Sequence, residues 1–517
     1  MVAATLDVAA TLDIATRTAL QGDLLQAREM FLELLSHLSD PDQIPRATSN
    51  FAAIEAALGH TEHAVQHWES IPLEQRTASA RANLDCLKGV FGEHSLPSRG
   101  DSNPQRIAIL SLLFSWPSTG GGTVHTKELA EFLAGAGYSV RHLYARYEPW
   151  DVGCVQDPLP YDSRQLRFQA ADWNETAIID RFRNELSQYQ PDWVIVTDSW
   201  NSKPLLVEAA EGFRTLIRIA AQECLCPLNN VRMLMNTEGS PQQCSLTQLA
   251  DPQACQSCVV QNGRRLSGAL HQAERELCGF GTEEYAQRIR QAFARAEGVL
   301  AVNPAIAESF RPHTQAAYVV PSGFDVRRFP DVAPPPDLAE RKLRILFAGL
   351  THEFMKGFHV LRDAARLLWS QRQDFEVCVT GEPDDSHEPW LRPVGWQSQE
   401  QLPELISACD LLVFPTIAQE GLGRTAVEAM ACGRPVVASR IGGLNWVVED
   451  GVTGLLCTPG SAEDLAAKCA QLLDNPALRQ QFGAAGRSKF EREFTWQASL
   501  EQHYLPLLGP PVRAAVS

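Results

Sequence analysis

The sequence predicts an α/β protein in which two βα-repeat domains face a cleft, preceded by an all-α, repeat-like N-terminal region. Three observations support this prediction. From residue 106 onwards, continuous apolar runs alternate with amphipathic segments, as expected of strands buried between layers of helices. A proline-rich stretch at 331–340 divides these runs into two groups. The first 95 residues are instead rich in Ala, Leu, Gln and Glu, with apolar residues at helical spacing.

Length and charge limit the class of protein. A chain of 517 residues is too long for one hydrophobic core, so two or three domains are expected. A net charge of −17 without a long Lys/Arg run argues against a nucleic-acid partner. No apolar stretch approaches the roughly 20 residues of a spanning helix, and the N-terminus lacks the pattern of a signal peptide. We therefore expect a cytoplasmic protein, and peripheral attachment to the inner face of the membrane stays open.

The N-terminal region, residues 1–98, contains one visible repeat with a period of 37 residues. Its two copies share a glycine, an alanine and an aromatic residue at equal offsets: Gly22 with Gly59, Ala27 with Ala64, and Phe31 with Trp68. This pattern resembles the tetratricopeptide repeat, whose period is near 34. Two interpretations stay open, namely a helical extension of the next domain and a docking surface for a protein partner.

Residues 104–330 are predicted to form the first α/β domain. Its strand candidates are the apolar runs 106–114, 139–145, 192–198, 215–220 and 298–302. Three glycines, Gly120, Gly121 and Gly122, follow the first run and precede an amphipathic helix. Open α/β sheets bind ligands at the carboxyl ends of their strands, which favours a binding loop over a simple flexible turn. The spacing does not match G-x-G-x-x-G, so no dinucleotide site is implied.

The first domain carries a cysteine-rich insert at residues 222–278. It contains Cys224, Cys226, Cys244, Cys255 and Cys258. The C-x-C and C-x-x-C spacings can chelate one ion, and four thiolates suit a structural zinc. A disulfide and free thiols in a mobile insert are the alternatives. Five candidates for four places leave the set of ligands open.

The second α/β domain is predicted at residues 341–495, with a tail helix at 496–517. Its strand candidates are 343–349, 375–381, 410–416, 435–439 and 454–457. The stretch 409–446 is the most informative part of the chain. There, residues 421–423, Gly-Leu-Gly, stand where a loop turns into a helix, between Glu420 and Glu428.

Such a junction suits a phosphate group, because the free N–H groups and the positive end of the helix dipole face the loop. An ionised carboxylate only accepts hydrogen bonds, so a carboxylate on each side can hold hydroxyl groups. Phosphate flanked by hydroxyls describes a nucleotide sugar.

Four features in order resemble glycosyltransferase family 4, whose members are retaining enzymes with the GT-B fold. They are the glycine-rich loop, PSGFD at 321–325, GLTHEFMKG at 349–357, and the Glu420–Glu428 pair with EAMACGRPVVAS following. The resemblance covers roughly residues 104–505 and not the N-terminal helices. It implies a GT-B fold with two Rossmann-like domains.

The resemblance also implies roles for three charged side chains. Lys356 would meet the diphosphate of the sugar donor. Glu428 would hold the ribose hydroxyls, and Glu420 would hold the hydroxyls of the transferred sugar. Lys356 and Glu420 are therefore the expected catalytic residues.

Backbone groups complete the expected donor site. By the same resemblance, Gly421, Leu422 and Gly423 would line the phosphate and the sugar. Gly121 and Gly122 would approach the sugar donor's phosphate or the acceptor from the other domain.

Two positions depart from the family pattern. Leu350 stands where the family has an arginine, so one positive charge at the diphosphate is missing unless Arg424 or Arg440 replaces it. The family often has a histidine after the strand at 215–220, and this chain has none there. Gln222 or Glu223 is the candidate for that sugar-facing place.

The implied function is transfer of a hexose-type sugar from a UDP-, GDP- or ADP-linked donor to a glycan, lipid-linked or small acceptor. The resemblance further implies retention of anomeric configuration and catalysis that needs no metal or other cofactor. A catalytically weak scaffold that binds partners through its helical repeats is the main alternative. A different GT-B enzyme, such as an epimerase or a synthase, is poorly separated from a transferase by these residues.

Overall fold

A computed structural model describes most of the chain. In the N-terminal part it describes residues 24–38, 43–57 and 61–72, with single positions beside them (12, 14–16, 18, 40, 75, 76, 81 and 84). In the remainder it describes residues 104–118, 120–235, 241–266, 268–329, 341–381 and 387–511. The chain divides into two compact units, Met1–Asp101 and Ser102–Ser517.

The first unit is helical where it is described. Its helices are α1 (Leu24–His37), α2 (Ile44–Ala57) and α3 (Thr61–Ser70). The repeat positions that can be seen are buried, as expected of small and aromatic residues between helices: Ala27, Phe31, Ala64 and Trp68. The two repeat glycines, Gly22 and Gly59, lie outside the described residues. The tetratricopeptide-like arrangement therefore stays a prediction.

The second unit contains two parallel sheets. The first has seven strands in the order β3-β2-β1-β4-β5-β8-β9. They are β1 (Arg106–Ser111), β2 (Ser139–Arg146), β3 (Ser163–Arg167), β4 (Trp193–Val196), β5 (Thr215–Ile219), β8 (Gly298–Ala301) and β9 (Ala317–Val319). The helices around this sheet are α4 (Gly121–Gly135), α5 (Glu175–Tyr189), α6 (Lys203–Ala209), α9 (Glu283–Arg295) and α10 (Pro304–Phe310).

The cysteine-rich insert leaves the first sheet after β5. It forms a small antiparallel hairpin of β6 (Met233–Met235) and β7 (Pro241–Gln243). Two helices follow, α7 (Pro252–Leu266) and α8 (Ala269–Cys278).

The second sheet has six strands in the order β12-β11-β10-β13-β14-β15. They are β10 (Leu343–Phe347), β11 (Phe375–Val379), β12 (Leu391–Pro393), β13 (Leu411–Phe414), β14 (Val436–Ser439) and β15 (Gly454–Cys457). Its helices are α11 (Phe358–Trp369), α12 (Leu402–Ser407), α13 (Arg424–Ala431), α14 (Leu444–Val447), α15 (Ala462–Leu473) and α16 (Pro476–Glu493).

The C-terminal segment returns to the first sheet. It consists of α17 (Trp496–Ser499), a π-helical turn over 500–504 and α18 (Leu505–Leu508), in place of the single tail helix expected. Trp496 packs in one core cluster with Ile107 of β1 and Val140 of β2. The indole of Trp193 donates a hydrogen bond to the Leu508 carbonyl at 3.2 Å. The predicted tail therefore completes the core of the first domain.

The predicted α/β class is confirmed, because each apolar run became a buried parallel strand. Three further strands of the parallel sheets, β3, β9 and β12, were not predicted, since they are short and only partly buried. The hairpin strands β6 and β7 of the insert were not predicted either. Their pairing partners in the sheet hold them extended. No helix in the described part of the chain is long and apolar enough to span a bilayer.

Candidate functional site

The loop before α13 packs closely against the first domain. A Cβ on Gly421 would lie 2.1 Å from the Ala220 carbonyl oxygen, so only glycine permits this approach. Asn303 reinforces the contact. Its Oδ1 caps α10 by accepting from the Ile306 N–H at 2.9 Å, while its Nδ2 donates to the Gly421 carbonyl at 2.6 Å. Residues that follow strands of both sheets thus meet at one place.

The helix junction predicted from Gly-Leu-Gly is present. Gly423 has a φ of 82° and directly precedes α13, which begins at Arg424. A Cβ on Gly423 would lie 2.6 Å from Leu444, and left-handed backbone favours glycine in any case. Gly423 caps α13 without a side-chain hydrogen bond. The junction therefore keeps the N–H groups that suit an anion.

Lys356 and Glu420 form an ion pair although 64 residues separate them. The distance from Lys356 Nζ to Glu420 Oε1 is 2.9 Å. Thr416 Oγ1 also donates to Glu420 Oε1 at 3.3 Å. Burial favours the neutral amine, but the carboxylates of Glu420 and Glu353 outweigh it and raise the pKa of Lys356. The lysine is therefore a fixed positive charge beside the helix junction.

The residue after Lys356 must be a glycine because of its backbone conformation and its closeness to β13. Lys356 ends a 3-10 turn over Phe354–Lys356, and Gly357 has a φ of 76°. A Cβ on Gly357 would lie 1.9 Å from the Pro415 carbonyl oxygen at the end of β13. The chain can therefore turn tightly against β13 and hold Lys356 toward Glu420.

Glu428 lies apart from this pair, on the second turn of α13, and is 5 % exposed. Burial raises the pKa of the Glu428 carboxyl, while Arg424 and Arg328 oppose the rise and Glu128 adds to it. Glu428 therefore belongs to a group of charges at the boundary between the two sheets. The two glutamates expected on either side of the Gly-Leu-Gly turn therefore have different charged neighbours, Lys356 for Glu420 and the group with Arg424 for Glu428.

The glycine-rich segment of the first domain, residues 120–122, differs in one respect from the loop that was expected. Helix α4 already begins at Gly121, so Gly121 and Gly122 form its first turn. A Cβ on Gly121 would lie 3.1 Å from Arg424 Cδ, and one on Gly122 would lie 3.8 Å from the Ala220 Cβ. Gly121 therefore leaves room for the Arg424 side chain, which reaches across from the second sheet.

Arg424 is better placed than Arg440 to replace the arginine missing at Leu350. The Arg440 guanidinium is 53 % exposed and is paired with Asp450. Arg424 is mostly buried, and its Nη1 has no hydrogen-bond partner among the described residues. Its Nη2 lies 3.4 Å from Glu128 Oε2, and its guanidinium stacks on Phe324 at 4.2 Å.

Glu128 is a residue that the sequence did not single out. It lies on α4 and contacts Arg328 at 3.3 Å and Arg424 at 3.4 Å. The indole of Trp496 also donates to Glu128 at 3.4 Å. A glutamate on an amphipathic helix carries no distinguishing signal, so only the tertiary contacts reveal it.

The candidates for the missing histidine are already engaged. Glu223 accepts the backbone N–H groups of Ala220 and Ala221 at 2.7 and 2.6 Å. Its carboxylate also lies 3.7 Å from Lys203. Gln222 Oε1 accepts from Arg232 at 3.2 Å. Both side chains therefore shape the loop after β5.

The five cysteines of the insert have different surroundings. The thiol of Cys224 donates to the Trp200 carbonyl at 3.2 Å, whereas Cys226 Sγ accepts the Leu228 N–H at 3.4 Å. Burial raises the pKa of Cys255 to about 12, and the thiols of Cys226, Cys244 and Cys258 add to that rise. Among the described residues, no group of three or more His, Cys, Asp or Glu side chains is arranged to hold a metal ion. The zinc prediction therefore stays a prediction.

A family model matches part of the second half of the chain, and curated relatives match over about two fifths of its length. Residues 333–489 match the family described as "Glycosyl transferases group 1". Glycogen synthase of Mycobacterium tuberculosis is 32% identical over 209 residues, which are 38% of this chain and 49% of that protein. D-inositol 3-phosphate glycosyltransferase of Arthrobacter sp. is 34% identical over 226 residues, or 39% of this chain and 53% of that protein. The chain thus spans about half the length of these relatives.

Solved structures match both sheets. Sucrose-phosphate synthase from Thermosynechococcus elongatus superposes with a TM-score of 0.55 at 20% identity, covering 78% of this chain and 99% of that one. Anabaena HepE in complex with UDP-glucose gives a TM-score of 0.51 at 17% identity, with coverage of 78% and 99%. The fold is GT-B. In a GT-B protein, a cleft separates two Rossmann-like domains, and Lys356, Glu420 and Gly121 all stand where the two domains of this chain meet.

Proposed function

We propose that this protein is a glycosyltransferase that takes a sugar from a nucleotide-sugar donor. The observation that carries the proposal is the Lys356–Glu420 ion pair beside the open helix junction at Gly421–Gly423, at the boundary of two GT-B domains. A cation, free N–H groups and a carboxylate are the groups that a diphosphate and sugar hydroxyls require. The names of the relatives, all enzymes of sugar transfer, support the same conclusion.

The charge that develops in the reaction falls on the leaving nucleoside diphosphate. Lys356 and the N-terminus of α13 would stabilise that charge, with no reorganisation during the step. Arg424 would supply the second cation in place of Leu350, since its Nη1 is buried and has no hydrogen-bond partner in the described part of the chain. The carboxylate of Glu420 would accept hydrogen bonds from the sugar while it orients Lys356.

Membership of family 4, retention of configuration and independence from metal form the finer part of the proposal. They rest on the four sequence features and on the matches across residues 333–489. A glycan, lipid-linked or small-molecule acceptor is proposed on the same basis. The inositol phosphate and glycogen in the names of the relatives make both small phosphorylated and polymeric acceptors reasonable candidates.

A panel of UDP-, GDP- and ADP-sugars tests the proposal by thermal shift, followed by assays of sugar release. We expect one nucleotide class to raise the melting temperature and its sugar to be released slowly by hydrolysis. The configuration of the released sugar, read by NMR at early times, tests retention. If none of the nucleotides raises the melting temperature, the enzyme proposal is contradicted. The alternative of a scaffold that binds partners through its helical repeats is then favoured.

Glutamine in place of Glu428 should weaken binding of the stabilising nucleotide about tenfold, because a ribose hydroxyl loses a charged acceptor. The same substitution should abolish any preference for that nucleotide over its 2′-deoxy analogue. Calorimetric titration measures both effects. Glu463→Gln, an exposed glutamate of α15, is the control. Unchanged affinity in Glu428→Gln would show that Glu428 does not contact the ribose.

We further propose a structural zinc held by Cys226, Cys244, Cys255 and Cys258. Cys224 is the poorest candidate of the five, because its thiol is bonded to the Trp200 carbonyl. Zinc binding would require the four thiols to converge and release their protons. Elemental analysis of protein purified without a metal-affinity tag should find one zinc per chain, lost in Cys255→Ser and kept in Cys224→Ser. If the purified protein contains no zinc, and added zinc does not raise its melting temperature, the proposed zinc site is wrong.

A further inference from the structure

A polar cavity lies at the carboxyl ends of β2 and β3, away from the proposed sugar-donor site. It encloses about 470 Å³ and is lined by Arg146, Tyr147, Glu148, Arg167 and Phe168, with Gln169 beside them. Arg146 ends β2 and Arg167 ends β3. Nothing in the proposed sugar-donor site uses these residues.

The two arginines are held side by side by the sheet. Arg146 and Arg167 are direct partners in the parallel pairing of β2 with β3. Like charges placed directly opposite each other destabilise a sheet. Arg146 donates to the Val152 carbonyl at 3.0 Å. Its charge is compensated only weakly, since Glu148 and Asp151 lie 3.7 and 3.8 Å away and are largely exposed. A positive pair in a chain of net charge −17 is what an anionic ligand would relieve.

An aromatic wall stands next to this pair. Tyr147 stacks on Trp173 with centroids 4.2 Å apart and an interplanar angle of 9°. Phe168 meets the same indole edge-on at 5.3 Å. Tyr147 and Phe168 are themselves almost fully buried, at 8 % and 5 % exposed. The Arg181 guanidinium also lies over the Phe168 ring, 4.5 Å from its centroid. The packed rings therefore hold the strand ends that carry Arg146 and Arg167 in place.

The cavity lies at the same carboxyl edge of the sheet as the end of β1. In the order β3-β2-β1, the strands β2 and β3 follow directly on β1, which leads to the glycine-rich turn. Neighbouring strands are about 5 Å apart, so the arginine pair lies roughly 10 Å from the end of β1. A ligand in this cavity can therefore extend along the sheet edge toward the proposed point of transfer.

We propose that this cavity binds the anionic group of the sugar acceptor, a phosphate or a carboxylate carried on a saccharide. The role of the ligand as acceptor rests on the proposed function, whereas the binding of an anionic saccharide does not. Arg146 and Arg167 hold the anion, and the buried rings of Tyr147 and Phe168 fix the ends of the two strands that carry these arginines. Glu148, on the rim, limits the affinity by repulsion.

Calorimetric titration with glucose 6-phosphate, glucuronate and glucose tests the site directly. We expect both anions to bind the wild-type protein at least tenfold more tightly than glucose, and the better anion identifies phosphate or carboxylate as the natural group. Arg146→Gln and Arg167→Gln should each remove most of that preference. Arg164→Gln should not, since Arg164 lies on the same strand but pairs with Glu185. Glu148→Gln should strengthen binding of both anions.

The outcomes separate this site from the proposed function. If the anions bind no better than glucose, or if Arg164→Gln weakens them as much as Arg167→Gln, the proposal is wrong even when nucleotides bind. If the anions bind as expected but no nucleotide does, the site stands and the transferase proposal fails. The melting temperature of each variant shows whether a loss of anion binding comes from the missing side chain or from a destabilised fold.

Discussion

Glutamine in place of Lys356 should lower kcat for sugar transfer by two to three orders of magnitude, roughly the effect of removing one oriented donor from a developing negative charge. Lys356 Nζ is held 2.9 Å from Glu420 Oε1 beside the helix junction, so its charge is in position before the reaction begins. The effect should fall mainly on kcat, because the charge on the leaving diphosphate grows in the transition state.

Initial rates of sugar transfer or of donor hydrolysis measure this effect. Lys342→Gln is the matched control, because it removes an exposed lysine of the same domain, next to β10. A rise in KM with kcat unchanged would show that Lys356 only binds the ground state. Wild-type rates in Lys356→Gln would remove the lysine from the mechanism.

The pH dependence of kcat in Glu420→Gln is a second test of the Lys356–Glu420 ion pair. Burial works against the charged amine, and the Glu420 carboxylate is the largest contribution that raises the pKa of Lys356. Its removal lowers that pKa, so Lys356 loses its proton at a lower pH. The alkaline limb of the kcat profile should therefore move to lower pH in the variant. An unmoved limb would show that another group sets it.

Glutamine in place of Arg424 should lower kcat about tenfold to a hundredfold, the range expected for loss of one charge-assisted hydrogen bond. The Arg424 side chain extends past Gly121 and leaves Nη1 buried without a partner among the described residues. A diphosphate would satisfy this nitrogen. Steady-state kinetics measure the loss, and Arg440→Gln, which removes an exposed arginine paired with Asp450, should be close to wild type.

Arginine at position 350 provides the decisive variant. If Arg424 does the work of the arginine that the family places there, Leu350→Arg should restore much of the activity of Arg424→Gln. If Arg424 only joins the two domains through Glu128, then Glu128→Gln should reproduce the loss and Leu350→Arg should not repair it. These two patterns cannot both be observed, so the pair of variants decides the role.

Buried strands could be predicted because burial on both faces leaves a continuous apolar run in consecutive residues. The runs at 192–198 and 410–416 became β4 and β13 for that reason. Strand β3 could not be predicted, because the sequence Ser163–Arg167 is polar and only Leu166 is buried. Its extended backbone is held by pairing with β2, a partner about twenty residues earlier in the chain.

The candidate site also has parts that could be predicted from the sequence and parts that could not. The Lys-Gly and Gly-Leu-Gly turns carry a local signal, because left-handed backbone and close approach both require glycine. No local signal predicts that Lys356 pairs with Glu420. The same is true of the charged group that contains Glu428, Arg424 and Glu128. Helix α4 also begins inside the expected loop, at Gly121, because glycine has a low intrinsic helix propensity and so does not mark a helix start.

The sequence was enough to predict the buried strands, since those depend on the burial preferences of neighbouring residues. It also determined the two glycine-dependent turns that hold Lys356 and open the N-terminus of α13. Which charged side chains meet, by contrast, depends on the packing of the whole chain. Arg424 reaches Glu128 across the domain boundary, and Arg146 lies opposite Arg167 in the sheet. Such pairs depend on strand order and domain packing, which bring together residues that no local pattern connects.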